Sequence, residues 1–200
     1  MAEPGTVRPG GRTARTRAVA FEAALADLRA RGYEQVSVET IAERAGVHKT
    51  TLYRRWRTKE QLVAEALESI ADGLIEVPDT GDVDADLRAL ARGTLALLLD
   101  PDAVALLRAL VTGAQSSPEI ERIARRLWAV RLAQVTPIVE RAVERGQLPE
   151  GTDAGEVIRQ MAAPLYHRLL VTFDPLTESL ADRSVAAVLA AARAGVFTGT

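Results

Sequence analysis

The stretch Val36–Leu62, VSVETIAERAGVHKTTLYRRWRTKEQL, decides the fold of this chain. Ser37 stands as an N-cap, its hydroxyl placed to accept from the first free amides of a helix. Val36 and Ile41 flank it at the spacing of a hydrophobic staple. Val38, Ile41, Ala42 and Ala45 recur at i, i+3, i+4 and i+7, the period of an amphipathic helix. Gly46 then supplies a C′ residue that adopts positive φ without a Cβ clash. Val47 and Leu52 repeat the staple spacing around His48, so another helix begins almost at once. Helix, tight turn, helix is the unit that lays its second helix in a DNA groove.

That second helix is two-sided. At roughly 100° per residue, Lys49, Thr50, Tyr53, Arg54 and Arg57 fall outward, Leu52 and Trp56 inward, and Thr51 and Arg55 on the flank. Such a face carries donors for base edges and phosphates. An ordinary solvated face accounts for the Lys and Arg. It does not account for the exposed Tyr, the paired Thr, or the absence of acids from Val47 to Lys59. Thr58 and Gln61 then have the T-x-x-Q spacing of a capping box, opening a helix whose first amides attract a phosphate.

These positions together resemble the N-terminal domain of the tetracycline-repressor (TetR) family of bacterial transcription regulators. The similarity covers about Arg15 to Ile70: a leading helix with Ala18, Phe21, Leu25 and Leu28, a Gly32-Tyr33 turn, then Ser37–Ala42, Ala45–Val47, Lys49–Tyr53, Trp56 and Lys59–Leu62. Beyond it the likeness is architectural. His48 stands where the family commonly has a small hydroxylated cap, and Trp56 replaces the more usual Phe. The resemblance implies an all-α chain of about nine helices, an N-terminal three-helix helix-turn-helix DNA-binding domain followed by a C-terminal helical domain for ligand binding and dimerisation. It implies that Ser37, Tyr53 and Lys59 hold phosphates, that Lys49, Thr50 and Arg54 face base edges, and that Thr51 and Arg55 stand at the margin. The function implied is a DNA-binding regulator, a repressor released from a palindromic operator by a small apolar or amphipathic ligand. A regulator without a ligand, and a helical protein-interaction module, are the alternatives.

Charge is polarised in the same sense. Residues 1–60 carry 12 Lys or Arg and 7 Asp or Glu, whereas residues 61–200 carry 13 and 20, so a net charge of −2 conceals a basic end and an acidic body. A basic end seeks a polyanion, and an acidic body discourages unproductive binding to the same duplex. The expected division is a disordered arm at 1–14, the helix-turn-helix domain at 15–60 and the effector-binding and dimerisation domain at 61–200. The arm holds two Arg and reads either as a minor-groove reach or as an unengaged terminus.

The rest of the inventory is exclusionary. The 200 residues, 48% hydrophobic, contain no cysteine, hence no disulfide framework or thiolate, which fits a reducing cytoplasm. No apolar run approaches the roughly 20 residues that span a bilayer, so no membrane association is expected. The first residues lack a signal-peptide h-region. Neither of the two histidines lies near a plausible nucleophile, and H-E-x-x-H, a Gly-rich phosphate loop and a dinucleotide fingerprint are missing. No enzyme, cofactor or metal is expected. Asp79, Asp82, Asp84 and Asp86 lack the spacing of a calcium loop and read as a solvated linker and helix start.

The body reads as helices throughout. Leu62, Val63, Ala66, Leu67, Ile70 and Leu74 mark a helix joining the two domains, and Glu76–Asp82 is the linker. Helices are expected at about 83–99 and 102–114, then from Ser117-Pro118 to Arg145 with a kink at Pro137. Another runs from the Asp153/Glu156 capping box to about Thr172 with Pro164 inside it, and a last one from beyond Pro175 to Ala194. The last two present Ala162, Leu165 and Leu169, and Leu180, Ser184, Ala187, Val188 and Ala191. Such stripes close a monomer's core or join two copies in a four-helix bundle. The resemblance, and the few contacts that one short recognition helix makes, point to a homodimer through these two helices. Only Trp128, Tyr166, Phe173 and Phe197 are aromatic beyond the first domain, so a cavity there is walled by Leu, Val and Ala. Trp128, Tyr166 and His167 are its candidate polar handles, or else ordinary core and interface residues.

Overall fold

The computed structural model describes residues 11–71 and 77–199, apart from the side chains at 11, 12, 67, 68, 70 and 71. The expected inward positions of Leu67, Ile70 and Leu74, residue Glu76 of the linker and arm residues 1–10 lie outside what is described. The chain is all-α, with α1 at Gly11–Arg31, a 3-10 turn at Tyr33–Gln35, α2 at Val38–Ala45, α3 at Lys49–Arg55 and α4 at Lys59–Ala71. The body contains α5 (Val83–Leu99), α6 (Pro101–Ser116), α7 (Pro118–Val135), α8 (Pro137–Glu144), α9 (Ala154–His167), a π turn at Arg168–Thr172 and α10 (Glu178–Arg193). With α7 and α8 taken as one helix interrupted at Pro137, the described residues contain the nine helices expected.

Side-chain caps set most of these boundaries. Ser37, Asp82, Asp100, Ser117, Asp153 and Thr177 each accept from a backbone amide in the first turn that follows. Pro101 and Pro118 occupy the first helical positions, where no amide is needed. Two expected capping boxes are open. Gln61 accepts from the Arg57 amide rather than that of Thr58, and the Glu156 carboxylate turns to Gln160 instead of back to Asp153. A box that was not anticipated closes on α2, where Thr40 and Ser37 satisfy each other's amides.

Residues 11–14 belong to α1 rather than to the arm, a correction with a simple cause: after Gly11 no Gly or Pro interrupts the run, and Arg and Ala favour helix. The linker is not loosely solvated either. Asp86 is buried and accepts from the Thr80 amide at 2.9 Å and hydroxyl at 2.7 Å, while Asp79 accepts from Arg145 at 2.8 Å.

Two cores form. The first joins α1–α4 through Phe21, Leu28, Ile41, Leu52, Trp56 and Leu62, and receives Leu106, Leu110, Ile120 and Ala124 from α6 and α7. The second is built by α5, α8, α9 and α10. Here the dimer stripe needs correcting. Leu165, Leu180, Ser184 and Val188 are buried in this core of the single chain, because α10 lays that face on α5 and α9. Of the stripe only Ala187 is exposed.

Candidate nucleic-acid interface and effector cavity

The helix-turn-helix is held by its own backbone caps and buried side chains. Gly46, at φ 64°, donates its amide to Ala42 and Glu43, and Val47 also donates to Ala42, closing α2 in a left-handed cap. His48 caps α3 through its backbone alone, so the helix begins at Lys49 even without the small hydroxyl. Leu52 and Trp56 are fully buried, Trp56 against Phe21 with ring centroids 5.8 Å apart. The extra ring of Trp56 fits, although its buried Nε1 has no hydrogen-bond partner among the described residues. From α1, buried Asp27 accepts from Arg44 Nε at 2.6 Å and so ties α2 down.

On this frame Lys49, Thr50, Tyr53, Arg54 and Arg55 are exposed and Thr51 is half-buried. Arg57, expected on the same helical face, lies beyond the end of α3, which stops at Arg55. The Arg55 guanidinium stacks over the Trp56 ring at 5.0 Å. Tyr53, 41% exposed, donates its hydroxyl to Glu39 Oε1 at 2.8 Å. Ser37 is half-buried, with its hydroxyl accepting from the Thr40 amide at 3.1 Å. Lys59 turns inward: its Nζ donates to the Tyr33 carbonyl at 3.2 Å and lies 4.4 Å from the centre of the Tyr33 ring. The sequence missed Glu39, an acid at the edge of the basic face, since it belongs to the preceding helix.

Tyr33 is also the joint between the two parts of the chain. Its hydroxyl donates to Glu60 Oε1 at 3.1 Å, and its ring packs on Gly113 of α6 and beside Ile120 of α7. Next to it, Ser116 donates to Glu34 at 2.8 Å, and Arg29 of α1 pairs with Asp102 of α6. Burial, then the Glu60 carboxylate, push the Tyr33 hydroxyl well above its ordinary value.

The opposite sides of α6 and α7 line a cavity of about 740 Å³, completed by α5 and α9. Leu90, Leu107, Val111, Leu132, Ile158 and Met161 make its walls apolar. Trp128 and Tyr166 stand on the wall as an edge-to-face pair, with centroids 5.6 Å apart. His167 does not join them. It is exposed at the end of α9, because one residue further along a helix rotates the side chain by roughly 100°. Ala162, expected at a dimer face, lines the cavity instead. The sequence reading also missed Arg131, which shares the cavity with Trp128; the i, i+3 spacing on α7 was the available signal.

Residues 20–66 match the family described as "Bacterial regulatory proteins, tetR family", and residues 77–188 match "Tetracyclin repressor-like, C-terminal domain". The chain belongs to the TetR family. It is 34% identical over 185 residues to the DNA-binding transcriptional repressor TetR of Mycobacteroides abscessus, covering 89% of this chain and 92% of that one. Identity to the regulator AqdR of Rhodococcus erythropolis is 30% over 178 residues, with 89% and 86% covered. Among solved structures, a TetR-family regulator from Mesorhizobium loti superposes with a TM-score of 0.72 at 26% identity, covering 90% of this chain and 97% of that one. This TetR-family chain is thus a DNA-binding transcriptional regulator and not an enzyme. Regulators of the family act as dimers. No described helix of this member is long and apolar enough to cross a membrane.

Proposed function

We propose that this TetR-family chain is a cytoplasmic repressor that holds a palindromic operator as a homodimer and lets go when a small apolar or amphipathic molecule enters the cavity. One observation carries the reading: α6 and α7 line the cavity with one side and pack against Tyr33 with the other. A ligand that spreads or draws in these helices therefore acts on the joint carrying α1–α4. Switching such an equilibrium from mostly bound to mostly free needs roughly 10⁴-fold differential affinity between the two states.

Residues 15–60 are the DNA-reading unit in this proposal, and 61–200 the effector and pairing unit. Lys49, Thr50 and Arg54 read base edges, Thr51 and Arg55 stand at the margin, and Ser37, Tyr53 and Lys59 hold phosphates. Lys59 keeps donors to spare after its bond to Tyr33, since an ammonium has three. Trp128 and Tyr166 are the effector contacts. Pairing through α9 and α10 is supported by what the core-facing stripe of α10 leaves outside: Ala186, Ala187 and Ala190, small residues that allow close approach of a second copy.

The test is a fluorescence-anisotropy titration on the DNA upstream of the protein's own gene, at several salt concentrations, followed by a small-molecule screen for release. Steep salt dependence with retained sequence preference supports the operator reading. Indifference to every duplex overturns it, and a complex that no compound dissociates overturns the effector half alone.

A further inference from the structure

Three arginines and no acid stand among the residues lining the cavity. Two of them are neutralised on their own helices. Arg125 is held by Glu121, Nη2 to Oε1 at 2.6 Å, and Arg159 by Glu156 at 3.4 Å. Arg131 differs. Its Nη1 donates to the Gln134 carboxamide oxygen at 3.2 Å, but its Nη2 is buried with no hydrogen-bond partner among the described residues. Burial disfavours its charge, an effect that the neighbouring Tyr166 hydroxyl group partly offsets. A buried cationic donor without an acceptor is rare and costly, because desolvation is not repaid by any bond.

We propose that the cavity binds a molecule with one carboxylate and an apolar body, the carboxylate pairing with the Arg131 guanidinium. The proposal rests on the effector reading above and gives that effector a chemical class. A single carboxylate balances the single unpaired guanidinium. A dianion such as a phosphate ester would bring a second charge into walls of Leu, Ile and Met, where no other unpaired cation meets it. The apolar body lies along Leu107, Leu132, Ile158 and Met161, with Trp128 and Tyr166 offering ring faces and edges. Arg rather than Lys suits the role, since its planar fork matches a carboxylate and stays charged.

The experiment compares dodecanoate and 2-naphthylacetate with their primary amides, by isothermal calorimetry and tryptophan fluorescence on the full-length chain. In the natural chain each acid binds at least about tenfold more tightly than its amide, the usual strength of a charge-assisted bond. Arg131→Gln brings the acids to the level of the amides. Helicity and operator binding of the variant, measured alongside, confirm that it is folded. Equal binding of acid and amide to the natural chain, or no binding of either acid, overturns the carboxylate subsite without needing the variant. A preference that survives Arg131→Gln also overturns it. The operator complex separates this failure from that of the effector reading. Amides that bind and release DNA as well as the acids do uphold the effector and sink the subsite. Acids that bind through Arg131 without releasing DNA uphold the subsite and sink the effector.

Discussion

The Tyr53 hydroxyl donates to Glu39 Oε1 at 2.8 Å, so the proposed phosphate donor of α3 is already engaged by an acid in the first turn of α2. This bond is the main reason that Glu39 is held below the ordinary carboxylate value and Tyr53 above the phenolic one. A phosphate reaching Tyr53 must displace a carboxylate of its own sign. Glu39→Ala is expected to tighten binding to all duplexes alike, and Tyr53→Phe to weaken it alike, each by about three- to tenfold. Anisotropy titrations on specific and scrambled duplexes read both effects. A change confined to one sequence would move Tyr53 from phosphate to base contact.

Lys49→Ala or Arg54→Ala is expected to cost about 1–3 kcal/mol at the preferred operator and to relax base choice. A set of operators changed one base pair at a time shows which position each side chain reads. Loss spread evenly over all sequences would assign these residues to the backbone instead.

Arg44 and Asp27 are unequal partners. Asp27 is buried, whereas the Arg44 side chain is 41% exposed, so deleting the arginine leaves a buried acid with only the more distant Arg31, and deleting the acid leaves an arginine that reaches water. Arg44→Ala should cost about 3 kcal/mol of stability and Asp27→Asn about half as much. Urea midpoints at constant m-value give the two numbers. The reverse ranking would locate the stabilisation in Arg31, which approaches Asp27 at 3.9 Å.

Tyr33 makes the fold sensitive to alkali. Its folded pKa is raised above its ordinary value of 10.0, so its contribution is complete below pH 10. Above that, the unfolded chain loses the proton first and stability falls. Tyr33→Phe should flatten the decline of the melting temperature between about pH 10 and 11. A decline identical in both proteins would trace it to other groups.

Gly113 faces the Tyr33 ring so closely that an added Cβ would lie 3.1 Å from it and 3.2 Å from Ile120. Alanine gains roughly 1 kcal/mol of helix propensity, but overpacking costs about 1–3 kcal/mol, and the crowding wins. Gly113→Ala is expected to lower stability slightly and to change how a bound effector alters operator affinity. Unchanged coupling would place the transmission elsewhere along α6.

The helix-turn-helix was legible because everything that defines it is local. Ser37 and Gly46 act on amides and carbonyls a few residues away, and the placing of Leu52 inward and Lys49 outward follows from helical period alone. Charge polarity needed only counting. The second half was legible as helices for the same reason, down to the proline starts at Pro101 and Pro118. Which face of each helix meets which neighbour was another matter. Leu165, Leu180 and Val188 look alike as core or as dimer stripe, and only their packing against α5 assigns them. Asp86 reads as solvent-facing until Thr80 folds over it, and Arg193 finds Asp84 across 109 residues of chain. Arg131 is one arginine among many in the sequence; what singles it out is the counter-charge that Arg125 and Arg159 have and it lacks. Period and capping are properties of neighbours along the chain, so the sequence determined the helices and the basic outer face of α3. Burial and charge pairing are properties of neighbours in space, so the tertiary structure alone decided the joint at Tyr33 and the chemistry of the cavity.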